Sequence, residues 1–109
     1  MATVAEVARR IDHDLWAINA ELSFLPDLER DWDDETADNR MIYSNDWGQM
    51  MSFLVALHRA HETGEMSNDQ RAAYRDLARR LLAALPQLRR LELVMAFPVP
   101  LETVADSQE

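Results

Sequence analysis

The stretch TVAEVARRIDHDLWAINAELSFL, residues 3–25, has the pattern of one long amphipathic helix. Its apolar side chains recur at steps of three and four residues, the spacing that places them on one helical face. The apolar stripe consists of Val4, Val7, Ile11, Leu15, Ile18, Leu22 and Leu25. Ala8 and Trp16 widen this stripe to the width of a face that packs in a globular core.

Polar and proline residues mark the ends of this first helix. Thr3 and Glu6 have the spacing of an N-terminal capping box, in which the two side chains bind each other's backbone N–H groups. Pro26 pushes the residue before it out of the helical region. We therefore predict a first helix over residues 4–24.

A second helix is predicted from the apolar pattern that begins beside Asp46. Asp46, with Gln49 three residues later, has the spacing of another N-terminal box. The positions at helical spacing are Trp47, Met50, Met51, Leu54, Leu57, His58 and His61. Gly64 stands where a left-handed C-terminal cap is expected. The second helix is predicted over residues 47–62.

A third helix is predicted after Ser67, which has Gln70 three residues on. Its apolar stripe consists of Ala73, Tyr74, Leu77, Ala78, Leu81, Ala84, Leu85 and Leu88. The connection from the second helix is short, and short connections join antiparallel neighbours. We expect helices two and three to pack side by side in opposite directions.

Pro86 interrupts this third stripe, because proline has no N–H group and its ring clashes with the preceding helical turn. We favour a third helix that stops near Ala84, followed by a short fourth helix over 86–96. Two alternatives stay open: a kink at Pro86, and a strand over 91–97, where the apolar run LELVMAF is too short for its period to decide.

The predicted fold class is all-α: a small up-and-down helical bundle of three long helices plus a short fourth helix after Pro86. A chain of 109 residues is too short for two independent cores, so we expect a single domain over residues 1–101. Residues 102–109 are polar and are predicted to form a disordered acidic tail.

The composition excludes several function classes. There is no cysteine, every one of the eleven basic residues is Arg, and there are two glycines, which argues against thiolate chemistry, lysine chemistry and phosphate-binding loops. No apolar run approaches the roughly 18 residues of a membrane span, and the N-terminus lacks a basic region followed by an apolar one. We expect a cytoplasmic, non-catalytic protein without a cofactor.

The net charge of -9 is concentrated in the first half of the chain. Residues 1–50 hold twelve acidic residues against four Arg, and residues 51–109 hold eight against seven. Such a surface repels nucleic-acid phosphates and anionic lipids, so direct binding of either is not expected. It favours a basic protein partner, or serves solubility alone. A nucleic-acid-mimicking inhibitor is a second alternative.

Residues 27–38 contain seven acidic residues and one Arg, and like charges at helical spacing oppose a helix. We predict an exposed acidic-aromatic connection that binds the partner, with an accessory, immunity-like or antitoxin-like role. The predicted partner-binding residues are Asp31, Trp32, Asp33, Asp34, Glu35 and Trp47. Two alternatives are open: Trp32 folds back over the first helix, and Trp47 packs in the core or at its edge.

Three histidines supply an alternative function, a metal-binding helical-bundle enzyme or sensor. His58 and His61 lie one turn apart, and His13 is flanked by aspartates. Di-metal bundles use Glu-x-x-His pairs, which this chain lacks. We therefore expect no bound metal.

Arginine and leucine stripes follow in the second half. Arg71, Arg75 and Arg79 lie at successive i, i+4 positions and form a solvated face, a partner of the acidic connection or an anion site. Asp76 is placed to pair with Arg80. Three amphipathic helices can leave one apolar face uncovered, so we predict a homodimer. Its predicted interface consists of Leu81, Leu82, Leu85, Leu88 and Leu91.

Overall fold

A computed structural model describes residues 1–107 and confirms the all-α fold class. Three long helices pack against one another and a short fourth helix packs on the third. The helices are α1 (Val4–Asp31), α2 (Ala37–Glu62), α3 (Asn68–Arg90) and α4 (Leu101–Ala105), and a single 3₁₀ turn, Trp32–Asp34, lies between α1 and α2. Within residues 1–107 no strand is formed.

Neither proline ends its helix, so the predicted ends of helices one and three are wrong. α1 continues through Pro26 to Asp31, and α3 continues through Pro86 to Arg90. A proline inside a helix removes one backbone hydrogen bond. Burial of leucines beyond each proline offsets that loss: Leu28 packs against the core and Leu88 is fully buried.

The start of α2 is also earlier than predicted. Thr36 caps it, and the Thr36 hydroxyl accepts a hydrogen bond of 3.1 Å from the backbone N–H of Asn39. Asp46, the predicted cap, lies inside the helix. Seven of the twelve residues of the expected acidic connection, 27–38, are therefore α-helical, and residues 32–36, which include the 3₁₀ turn, join α1 to α2.

The signals between α2 and α3 are confirmed. Gly64 has a φ of +75°, in the left-handed region where glycine is favoured. Ser67 and Gln70 form the expected capping box, with bonds of 3.1 and 3.0 Å. The Gln70 amide also donates to the Asp12 carboxylate at 2.9 Å, which ties the start of α3 to α1.

The leucines of the predicted dimer interface belong to the core of one copy. Leu81, Leu88 and Leu91 are buried, and Leu82 and Leu85 are partly buried against the core. The premise of an uncovered apolar face is wrong for this segment, because the chain beyond α3 returns onto the core. The residues of that return that are buried are Leu93, Val94, Leu101 and Val104. Self-association stays a prediction, but an uncovered apolar face on this segment no longer supports it.

The segment after α3 differs from both predicted forms. The expected helix over 86–96 is absent, since α3 itself ends at Arg90, and 91–100 consists of turns and bends without helix or strand. The disorder predicted for residues 102–109 is wrong for the part within α4, which is ordered because its apolar side chains are buried. Residues 108–109 lie outside the described residues.

Replacing a buried leucine of α4 tests this packing. Leu101 is 0% exposed, so Leu101→Ala should lower the free energy of unfolding by about 2–5 kcal/mol in urea denaturation. The neighbouring exposed Glu102 provides the control, since Glu102→Ala should change it by no more than about 0.5 kcal/mol. Equal, small effects of both changes would mean that α4 is not docked.

Candidate binding site

Trp32 and Arg40 close the turn between α1 and α2. Arg40 Nη2 donates a hydrogen bond of 2.6 Å to the backbone carbonyl of Trp32, and the guanidinium carbon lies 5.2 Å from the centroid of the Trp32 ring. The ring also lies 6.2 Å from that of Tyr43 and is half-buried. Trp32 therefore folds back onto the bundle, the alternative left open by the sequence. We call this contact the Trp32–Arg40 clasp.

The clasp gives the predicted partner-binding residues different environments. Asp33 and Asp34 are exposed on the 3₁₀ turn, whereas Asp31 and Glu35 line a cavity between the helices. Trp47 is 1% exposed and belongs to the core. Its ring forms part of the cavity's lining and offers no exposed surface to a partner, because α2 begins ten residues before the predicted start and buries this position.

The cavity between α1 and α2 has a volume of about 380 Å³, toward the small end of the range of ligand pockets in proteins. We call it the α1–α2 groove. It is lined by Glu21, Phe24, Asp27, Leu28, Asp31, Glu35, Tyr43, Asp46 and Trp47. The second half of α1, including its extension past Pro26, supplies one wall, and the N-terminal half of α2 supplies the other.

Acidic side chains dominate the groove. Five of its nine lining residues are carboxylates and none of the nine is basic. Arg30, on the outer side of α1, pairs with Asp27 at 3.2 Å and with Asp31 at 3.5 Å. Glu21 and Asp46 have no basic partner among the described residues. The groove therefore keeps unneutralised negative charge on both walls.

Two observations show that this charge is partly removed from water. Burial raises the pKa of the Glu21 carboxyl, and the charge of Asp46 across the groove raises it further. One carboxylate oxygen of Glu35 is inaccessible to solvent and has no hydrogen-bond partner in the described structure. Unpaired, desolvated carboxylates are costly, and a cation in the groove would relieve that cost.

The histidines are not brought to one place. His58 Nδ1 forms a hydrogen bond of 3.0 Å with the buried Tyr74 hydroxyl, and the His61 ring packs on Tyr74. Burial, with a smaller effect of Glu62, raises the pKa of Tyr74. His13 instead contacts Asp14 at 3.1 Å. In residues 1–107 no three His, Asp or Glu side chains are grouped as a metal site requires.

Several arginines of α3 bind carboxylates or backbone carbonyls of the same chain. Arg80 pairs with Asp76 at 3.2 Å, as predicted from the sequence, and Arg79 donates to the backbone carbonyl of Ala105 at 3.2 Å. Arg90 forms an ion pair with Glu29. That pair links the end of α3 to the acidic part of α1.

Sequence reasoning missed Glu21, Phe24, Tyr43 and Asp46, which line the groove on opposite walls. Their signal is helical spacing: Glu21 and Phe24 are three residues apart on α1, as are Tyr43 and Asp46 on α2. Using that signal requires knowing that α2 already includes Tyr43.

Comparison of the chain with protein families, curated proteins and solved structures found no match. None of the helices within residues 1–107 is long and apolar enough to cross a membrane.

The burial of Glu21 and its proximity to Asp46 predict a raised pKa for the Glu21 carboxyl. Its pKa should lie above the ordinary value of 4.5, as followed by carboxyl ¹³C NMR. Asp46→Asn should lower it without restoring the ordinary value, because burial is the larger cause. Asp33→Asn, outside the groove, should leave it unchanged.

The raised pKa of Glu21 also makes the free energy of unfolding depend on pH. A raised pKa means that the folded state holds the Glu21 proton more tightly than the unfolded state, so this group lowers stability as the pH rises through its raised pKa. Glu21→Gln should therefore raise the free energy of unfolding at pH 7 and reduce that pH dependence. A Glu21 pKa at or below 4.5 would contradict the geometry.

Proposed function

We propose that this chain is a non-catalytic, cytoplasmic binding protein whose α1–α2 groove takes a basic segment of a partner protein. The observation that carries the proposal is the pair Glu21 and Asp46, which lie on opposite walls of a cavity without a basic neighbour in its lining. Complementary charge steers a basic partner toward such a site and selects against acidic ones.

Exposed apolar side chains continue the groove along both helices. Phe24, in its lining, is 64% exposed, and Trp16, two turns earlier on the same side of α1, is 67% exposed. Ile42 is 54% exposed and lies one turn before Asp46 on α2. Large exposed aromatic side chains beside a groove are typical of protein interfaces. They support a peptide-like occupant with both basic and apolar residues.

The proposed contact surface lies in the groove and not at the tip of the turn between α1 and α2. Asp31 and Glu35 remain in it, whereas Asp33 and Asp34 form its charged surroundings. Charges at the rim of an interface contribute mainly to the rate of association, and charges buried at its centre to the affinity. Glu21, which is partly buried, and Asp46, whose charge acts on it, are therefore the stronger candidates for affinity.

The other functions have less support. A metal-dependent role would require His13 to join His58 and His61, and these side chains have different neighbours. Nucleic-acid mimicry is favoured by rows of exposed carboxylates at the phosphate spacing. The groove instead combines partly buried carboxylates with aromatic rings.

Two variants of equal net charge test the proposal. Glu21→Gln/Asp46→Asn removes two charges inside the groove, and Asp33→Asn/Asp34→Asn removes two outside it, so each changes the net charge from -9 to -7. The wild-type chain and both variants are immobilised and incubated with host lysate at low salt. Retained proteins are quantified by mass spectrometry, and circular dichroism checks that the variants are folded.

We expect basic proteins retained by the wild type to fall about tenfold with the groove variant, since about 1.4 kcal/mol of affinity corresponds to that factor. The control variant should change retention by less than about threefold, as rim charges contribute little. Equal losses would show that overall charge, not the groove, governs binding. Unchanged retention by the groove variant would contradict the proposal directly.

A further inference from the structure

We propose that the α1–α2 groove binds one arginine side chain of its ligand, with the guanidinium between the Glu21 and Asp46 carboxylates and against the Phe24 ring. This inference rests on the proposed function and specifies the residue type that the groove recognises. Three features of the groove carry it: its size, the placement of its carboxylates and its aromatic lining.

The size of the groove suits one side chain. Its volume of about 380 Å³ is many times the share of a single water molecule. It lies toward the small end of the range for sites that hold complete drug-sized ligands. A single long side chain fits within this volume, with the rest of the ligand on the exposed apolar rim.

The placement of the carboxylates favours an extended cation over a metal ion. Glu21 and Asp46 lie on different helices, close enough for the charge of one to affect the other. Yet no three acidic or histidine side chains of residues 1–107 converge as ligands of one ion. A guanidinium has five N–H donors in a fixed plane and can bind carboxylates on two sides at once.

The aromatic lining distinguishes a guanidinium from an ammonium group. Phe24 and Tyr43 present rings beside the carboxylates, and guanidinium groups stack on aromatic faces while pairing with carboxylates. A guanidinium is also more weakly hydrated than an ammonium ion. It therefore loses less on entering a site where burial already disfavours charge, as the raised pKa of Glu21 shows.

Glu35 also lines the groove, and one oxygen of its carboxylate has no hydrogen-bond partner among the described residues. Arg40, the nearest basic residue in the sequence, lies over the Trp32 ring and donates to the Trp32 carbonyl. It forms no ion pair with Glu35 in the described structure. A ligand guanidinium in the groove would offset the negative charge of this carboxylate.

Three small probes test the inference on the full chain. They are the N-acetyl methylamides of arginine, of citrulline, which has the shape of arginine without its charge, and of lysine. Each is titrated at constant ionic strength to several times the millimolar Kd expected for a ligand of this size. Carboxyl ¹³C and aromatic resonances are followed in the wild type, in Glu21→Gln/Asp46→Asn and in Asp33→Asn/Asp34→Asn.

We expect the arginine probe to shift the Glu21, Asp46 and Phe24 resonances along one saturating curve. Citrulline should cause no saturating shift, and lysine should bind at least about threefold more weakly. The groove variant should lose the arginine response, and the variant with changes outside the groove should keep it. The retained ring-current pattern of the buried Trp47 checks that each variant is folded.

Three results would overturn the inference: no saturating response to arginine, an equal response to citrulline, or lysine binding as tight as arginine. Uniform shifts over all exposed carboxylates would also overturn it, because they indicate diffuse ion attraction. These results are separable from the proposed function. If the groove variant loses partner retention while the arginine probe does not bind the wild type, the proposal of a basic partner is kept and the assignment of an arginine side chain is rejected.

Discussion

The Trp32–Arg40 clasp is the contact on which the acidic half of the molecule depends. It joins the end of α1 to the first turns of α2 through a hydrogen bond and a cation–π contact made by the same guanidinium. Like charges repel each other at this turn, and the guanidinium of Arg40 beside it reduces that repulsion. The clasp thereby keeps two acidic helix ends together and leaves a groove between them.

The helices and several of their ends were predictable from local patterns, but the ends of α1 and α3 and the start of α2 were not. The stripe from Val4 to Leu25 and the Ser67–Gln70 box identified α1 and α3. Pro26 and Pro86 were misjudged because the local cost of proline was weighed without the burial of residues beyond them, such as Leu28 and Leu88. Tertiary packing overrides local propensity when several buried side chains oppose one lost hydrogen bond.

The candidate site was predicted only in part, since its character depends on how two helices face each other. The sequence identified negative charge with aromatic side chains near Trp32 as the likeliest contact region. It could not show that Glu21 opposes Asp46, because this pairing requires α2 to begin at Ala37 and run antiparallel to α1. Burial of Trp47 and exposure of Phe24 follow from the same register.

The acidic segment forms a folded wall of a groove that exists before any ligand binds. Amide hydrogen exchange of residues 27–46 in the isolated protein, resolved by NMR, measures whether that wall is folded. We expect slowed exchange for the helical amides at 28–31 and 40–46, with faster exchange confined to the turn. Exchange at unfolded-chain rates from 27 through 40 would contradict it and would restore an open acidic connection.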